Sequence, residues 1–448
     1  MAYNGITATI PAGRGGYNGS DNPDSIPYTD LVVAKNIRYD GGSWRKVPGL
    51  QAISNAVANT PTCLSGIDYK ATTAANRQVT AWDNGWVYKE VSGTFDAVQL
   101  NPVKFSFKND PIFVPCGQEA VGSDRKLLMF AKDTPPQVIV GDAAAGTMVP
   151  LNTETKASLD WVNKDGAGSV YTYMPSAGLM HDSRVACWGN QNSPHSIYFS
   201  TLTDHTDFRN STNSVALDVV PGEGDGIRAC YPMGTTRLYV FKYPVGVYWI
   251  DTSNIAAAWI PATKTRGDIG IAGPNAITRV GSSGTWFIGS DGHIYSLNLL
   301  DNPDVDIRDA SITGQMFMSK WIKDNVDTAR LYDAKLVWDP NRKEVLACYT
   351  STDSNYNDIV LVIDLQNPQQ PKLAMDERGP YYEAAWIARD ESTAYRDLLV
   401  AGTGGIVYKA NWETRSIGTV GYSAEIELPP TDFAWVNPKL AQMRKRFD

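Results

Sequence analysis

Val79-Thr80-Ala81-Trp82-Asp83-Asn84-Gly85-Trp86-Val87-Tyr88 reads as two short strands folded about a tight turn. Apolar and aromatic residues flank Asp83-Asn84-Gly85, the residue types that a hairpin turn requires. The same unit returns along the chain. Leu127 to Ala131 turns through Asp133-Thr134-Pro135-Pro136 into Val138-Ile139-Val140, Arg184 to Trp188 pairs with Ser196 to Ser200, and Arg237 to Phe241 with Gly246 to Ile250. Thr285 to Gly289 passes through Ser290-Asp291-Gly292 to His293 to Ser296. A sixth group holds Leu336-Val337-Trp338, Glu344 to Tyr349 and Ile359 to Leu365, and the last joins Leu398 to Ala401 to Ile406-Val407-Tyr408. Turn centres near 84, 135, 193, 244, 291, 341 and 404 are separated by 51, 58, 51, 47, 50 and 63 residues.

Units of this length with several strands each are what the blades of a β-propeller require. One four-stranded blade cannot bury both of its faces alone. Stacking blades radially covers them, and closing the ring protects all but the outer edges. A pair of β-sandwiches produces similar hairpins, but at turn spacings of about 8–12 residues. The expected fold is therefore mainly β: a β-propeller over residues 59–415, with seven blades as first choice and six as the next, because 141–175 and 300–330 are weakly patterned. Helical spacing occurs only around Ile312 to Val326, where Met316, Trp321 and Ile322 form one apolar face.

The ends differ from the middle. Residues 1–58 read as an N-terminal arm and docking segment; the first thirty are rich in Gly, Asn, Pro and Ser (Gly13-Arg14-Gly15-Gly16-Tyr17-Asn18-Gly19) and lack core periodicity. Residues 416–448 read as a closing strand and a short basic tail, Met443-Arg444-Lys445-Arg446-Phe447-Asp448.

Composition excludes several function classes. In 448 residues, 48 acidic against 40 basic side chains leave a net charge of -8, unlike the dense basic face needed to grip a nucleic-acid backbone. No apolar run reaches 18 residues, so no membrane-spanning segment is expected, and Met1 to Pro11 lacks the pattern of a signal peptide. The five cysteines (Cys63, Cys116, Cys187, Cys230, Cys348) are far apart and odd in number, which fits small buried hydrophobes in a reducing compartment rather than disulfides or metal knuckles. The four histidines, His181, His195, His205 and His293, match no metal-ligand spacing. His181-Asp182 lacks a nucleophile to complete a catalytic set.

Between residues 31 and 50 the chain reads Leu31-Val32-Val33-Ala34-Lys35-Asn36-Ile37-Arg38-Tyr39-Asp40-Gly41-Gly42-Ser43-Trp44-Arg45-Lys46-Val47-Pro48-Gly49-Leu50. This resembles the opening of the tail nozzle and head-to-tail plug proteins of short-tailed bacteriophages, whose N-terminal segment supplies an Asn, a short strand, a Gly-rich turn and an Arg/Lys-x-Pro-Gly element before the first blade. Arg184-Val185, Ile197-Tyr198-Phe199-Ser200 and Asp207-Phe208 are similar to a middle blade of such proteins. So are Leu238 to Phe241, Val247 to Ile250, Gly267-Asp268-Ile269-Gly270 and Trp286 to Gly292, in the same order. The tail after Glu425 is short, so any C-terminal docking module is minimal.

The resemblance implies a structural part of the virion tail, not an enzyme. It implies self-assembly into a hexameric ring in the bacterial host cytoplasm, contacts with the portal, adaptor and other tail proteins, and passage of phage DNA without tight binding. No catalytic residue, cofactor or metal is assigned. Candidate subunit or adaptor contacts are Arg14, Tyr17, Arg45 and Lys46 near the start and Arg444, Lys445 and Arg446 at the end. Two rival readings exist. A glycoside-processing propeller needs convergent carboxylates or repeated Ser-x-Asp-x-Gly-x-Thr-Trp turns; Ser282-Ser283-Gly284-Thr285-Trp286 only ends like one, and Asp304/Asp306 and Asp301/Asp309 read as solvated loops. A receptor- or glycan-binding propeller would use exposed aromatics such as Trp161, Tyr171 and Tyr173. Arg266-Gly267-Asp268 reads as a plain turn, and Gly222-Glu223-Gly224-Asp225-Gly226, with two acids and no Lys, is not a phosphate loop.

Overall fold

The computed structural model describes residues 16–18, 30–31, 33–40, 43–47, 49–72, 76–91, 94–117, 125–151, 174–208, 215–254, 259–264, 269–300, 310–316, 318–368, 371–377, 382–389, 396–411, 416–417, 420–421, 424–427 and 444–447. They form a seven-bladed β-propeller. Blade 1 runs Cys63–Lys70, Asn76–Trp82, Val87–Val91 and Thr94–Gln99, each strand antiparallel to the next. Blade 2 begins at Ile112–Cys116, blade 3 at Ala177–His181, blade 4 at Gly226–Met233, blade 5 at Ile277–Arg279, blade 6 at Lys335–Asp339 and blade 7 at Ala384–Arg389. These first strands line the centre, and that of blade 7 lies against that of blade 1, so the ring closes.

The seven hairpins read from sequence are all present. Six of the seven turn centres mark the second-to-third turn of a blade. The sixth, near 341, marks a first-to-second turn; the corresponding turn of blade 6 spans 351–356, which explains the uneven steps around it. Pro135 and Pro136, read as turn residues, lie inside the third strand of blade 2, Thr134–Val140. A register shift between Met129 and Ala131 opens the ladder there, as suits residues that have no N–H to give.

Blade 2 shows why the strands are apolar on consecutive residues. Leu127 and Met129 pack with Val79, Ala81 and Val87 of blade 1, whereas Leu128 and Phe130 pack with Val185, Cys187 and Tyr198 of blade 3. Successive side chains point to opposite faces, and here both faces are buried. Similar layers join blades 3 and 4 through Phe199 and Trp259, blades 4, 5 and 6 through Phe241, Phe287 and Tyr349, and blades 6 and 7 through Val360 and Val400. All five cysteines are buried and free.

Among the described residues blade 5 has three strands, and Tyr295 of the third makes a single bridge to Ser311. Short helices Ile312–Gln315 and Ser319–Asn325 follow, where helical spacing was expected; Trp321 and Ile322 of the second are buried in the core.

Gly49–Ala52 corrects the expected boundary between arm and propeller. It pairs antiparallel with Val407–Asn411 (Leu50 opposite Ala410, Gln51 opposite Lys409) and is the fourth strand of blade 7. Leu50 is buried with Val400 and Tyr408. Among the described residues the strand next to Val407–Asn411 comes from the N-terminal side, and Ser416–Ile417 adds to the same sheet beyond it, with Ile417 parallel to Leu50. Further along, the Val57 N–H donates to Gly405 O at 2.8 Å and that of Cys63 to Gly402 O at 3.1 Å, leading the chain from blade 7 into blade 1.

At that junction Gly66 allows a close approach. A Cβ there would lie 2.5 Å from Trp386 Cε3, and the Trp386 indole N–H donates to Gln78 Oε1 at 2.7 Å, holding the ring in place. We expect Gly66→Ala to destabilise the protein by about 1–3 kcal/mol, as overpacking does. Urea unfolding measures it, and an unchanged midpoint would contradict the close packing of blades 7 and 1.

Candidate functional site

The two chain ends meet on the outer edge of blade 6. Val33–Lys35 lies parallel to the outer strand Lys372–Asp376 and antiparallel to Ala424–Glu427, which in turn pairs with Arg444–Phe447. Four strands become seven. Asn36 fastens the junction. Its backbone takes a left-handed conformation (φ 52°), its N–H donates to Met375 O at 2.7 Å, and its Oδ1 accepts from the Glu377 N–H at 3.0 Å. Asn tolerates that conformation better than other residues bearing a Cβ.

Beyond Asn36, the strand Ile37–Asp40 forms a hairpin with Ser43–Lys46 and buries Arg38. The guanidinium donates to both Asp376 oxygens at 2.8 Å, to Glu344 Oε1 at 3.0 Å and to Ile37 O at 2.9 Å. All three charged side chains are at most 3% exposed. Burial by itself would lower the pKa of Arg38, but Asp376 and Glu344 reverse this and raise it. Burial raises that of Glu344 despite Arg38, in keeping with a Glu344 Oε2 that has no partner.

The contact residues expected from sequence are distributed as follows. Arg14 lies outside the described residues. Tyr17 sits in the strand Gly16–Tyr17, parallel to Asp30–Leu31, and packs against the Leu31, Ala34 and Ala374 cluster; burial and then Glu377 push its hydroxyl up to about 12. Arg45, exposed, and Lys46, half-buried, occupy the second strand of the hairpin. Arg444, Lys445 and Arg446 form the outermost strand of the extended sheet, opposite Glu427, Ile426 and Glu425 in backbone register. Apart from Arg14, both groups thus belong to one structure on one side of the propeller. Arg266-Gly267-Asp268, Trp161, Tyr171, Tyr173 and the acids between 301 and 309 lie outside the described residues.

The centre of the ring holds a second concentration of charge. The Lys335 ammonium is buried, 2.6 Å from Asp110 Oδ2, and donates to Leu64 O at 3.2 Å. Burial opposes its charge, but Asp110 and Glu383 keep its pKa raised. Burial and Asp110 push the Asp333 carboxyl up; burial likewise raises Glu383, which accepts the Asn357 N–H. Burial raises the Cys348 thiol to about 12 and the Cys63 thiol further. Burial also lowers the pKa of all four imidazoles. Among the described residues no group of three or more His, Cys, Asp or Glu is placed to hold a metal ion, and no helix is long and apolar enough to cross a membrane.

Arg38 and Lys335 were not singled out in the sequence. Ile37-Arg38-Tyr39 has no signal that Arg38 faces inward, because its partners Glu344 and Asp376 are 306 and 338 residues away.

No protein-family model matches the chain, and no curated protein is similar to it. Solved structures match in fold. They include YCF48 bound to D1 peptide (11% identity, 82% of this chain and 97% of that one, TM-score 0.42) and the Myceliophteria thermophila Cps50 (Swd1) β-propeller domain (11%, 81% and 99%, 0.45). The WD40 β-propeller domain of Doa1 is a third (9%, 81% and 96%, 0.45).

Two outcomes test these electrostatics. Arg38→Met leaves Asp376 and Glu344 buried without a counter-charge, so we expect a loss of about 3–5 kcal/mol in chemical denaturation. Recovery of part of this by adding Asp376→Asn and Glu344→Gln would show that the orphaned carboxylates cause it, and no recovery would contradict that cause. Asp142 links blades 1 and 2, accepting from Arg77 at 2.9 and 3.1 Å and from Lys89 at 2.7 Å. Arg77 first, then Lys89, lower its carboxyl from 3.8 to about 2 against the opposing effect of burial. Its contribution is therefore complete above the unfolded value and disappears as pH falls towards the folded one. Thermal midpoints measured from about pH 5 to pH 2 should fall less steeply for Asp142→Asn than for the parent protein; parallel curves would contradict the link.

Proposed function

We propose that this chain is a structural tail component of a short-tailed bacteriophage, a nozzle or plug subunit. It assembles into a hexameric ring below the portal and adaptor, retains packaged DNA and passes it at ejection. The observation that carries this reading is the shared platform of the two chain ends on blade 6. The residues of the N-terminal resemblance include Asn36 and Arg38, which clasp blade 6, and Gly49, which begins the closing strand of blade 7. Arg45 and Lys46 belong to the hairpin that follows Asn36, and Arg444–Phe447 is the outermost strand of the sheet that Asn36 fastens, which supports reading both groups as subunit or adaptor contacts.

The propeller's own channel supports the same assignment of roles. Trp338, Trp386 and Tyr231 line a central cavity of about 470 Å³. DNA passes along the axis between copies, and a net charge of -8 suits a wall that must not hold phosphates. The ring forms in the host cytoplasm and functions in the virion tail.

The test is native mass analysis of the full chain, alone and with portal and adaptor proteins. We expect a hexamer, or one that forms on the adaptor, and its loss in the Arg45→Glu/Lys46→Glu/Arg446→Glu variant with the β-sheet circular dichroism of the propeller retained. A monomer that ignores the adaptor and binds or cleaves surface polysaccharide would overturn the reading.

A further inference from the structure

A second cavity of about 470 Å³ opens on the face where the inner strands begin, between the approaches to blades 2, 3, 4 and 6. Lys108 precedes the inner strand of blade 2, Lys132 occupies that blade's second hairpin turn, and Arg228 lies near the start of the inner strand of blade 4. All three line the cavity, with Asp225 its one lining carboxylate. Three cations against one anion leave a net charge of +2 in a protein whose total is -8.

Arg228 is set in place in advance. Its guanidinium carbon lies 3.7 Å from the Tyr243 ring centroid and 5.1 Å from that of Tyr332, and its NH1 donates to Ala272 O at 2.9 Å. The aromatic faces fix the plane of the fork, and its remaining N–H groups have no acceptor among the described residues. Lys108 and Lys132 are exposed, and their ammonium groups have no partner there either.

Asn190 supplies an independent observation. It lines the same cavity, is 0% exposed, and its Nδ2 has no hydrogen-bond partner. Its Oδ1 accepts from the Asn192 N–H at 2.9 Å, which fixes which end of the amide is the donor. A buried amide donor left unmatched is destabilising, so an acceptor is expected at that point. Guanidinium, two ammonium groups and an orphan amide are all donors.

We propose that this cavity binds a small doubly charged oxyanion, a phosphate or a dicarboxylate, between Arg228, Lys108, Lys132 and Asn190 Nδ2. The site is independent of the nozzle reading and sits away from the blade 6 platform. Phosphate and dicarboxylate share the charge and the acceptor oxygens, and differ in shape.

Isothermal titration of the full chain with inorganic phosphate and separately with succinate, against sodium chloride at matched ionic strength, tests it. Saturable binding of phosphate alone assigns a phosphate ligand, and of succinate alone a dicarboxylate; binding of both supports the common oxyanion site. Lys108→Gln/Lys132→Gln alters exposed, unpaired side chains, so the thermal midpoint should stay while affinity falls about tenfold or more. Asn190→Asp keeps the acceptor for Asn192 and places a negative charge at the orphan donor; binding should be lost. No saturable binding of either anion would overturn the proposal, as would binding that both variants leave intact.

Discussion

A propeller is a ring whose last blade must be joined to its first, and here the joint is a four-residue strand from the opposite end of the chain. Blade 7 makes three strands from residues 384–411 and takes its fourth from Gly49–Ala52. Without that strand, Val407–Asn411 becomes an open edge, and Leu398, Val400 and Tyr408 lose the cover of Leu50. Because the same segment continues into Cys63, the strand that seals blade 7 also fixes where blade 1 begins. The inter-blade layers on both sides depend on that register.

The buried charge around Arg38 has a related role. Taking an arginine and two carboxylates out of water costs more than a single pair returns unless nearly every donor and acceptor is met. Arg38 meets this condition with four hydrogen bonds, yet an apolar peg of equal volume would bind as well. What the ionic arrangement adds is register. A shift by one residue turns Arg38 to the other face of its strand and leaves Asp376 and Glu344 unmatched. The clasp thereby sets the phase of the following hairpin and of the closing strand.

Much of this was legible in the sequence, and the limits have physical causes. The seven hairpins are local, set by turn residues a few positions apart, so Asp83-Asn84-Gly85 and Ser290-Asp291-Gly292 announce themselves. The helical face at Trp321 and Ile322 is equally local. Gly49-Leu50-Gln51-Ala52 is too short to carry an alternation, and its partner is some 358 residues away (409 − 51); it therefore read as part of an arm. The basic tail read correctly as a basic cluster, but pairing with Ala424–Glu427 is a property of the folded edge. Gly222 to Gly226, with two acids and no Lys, is unfit for phosphate. In the structure this loop bends around the Lys242 ammonium, which donates to Val220 O at 2.7 Å and Glu223 O at 2.9 Å. The charge of the anion pocket and its buried amide donor come from three loops and the start of an inner strand, and no window of sequence contains them.

The platform on blade 6 and the closed ring belong together, since one N-terminal segment builds both. Its pairing can be trapped directly. Gln51 and Lys409 face each other in antiparallel register, within the Cα separation of about 4.4–6.8 Å that a disulfide spans. The five native cysteines are buried, which leaves an introduced pair free of competitors. Oxidising Gln51→Cys/Lys409→Cys and mapping the bond by mass spectrometry should give one intramolecular cross-link and a higher thermal midpoint. A bond that fails to form, or one that joins two separate chains, would contradict closure of each ring by its own N-terminal strand.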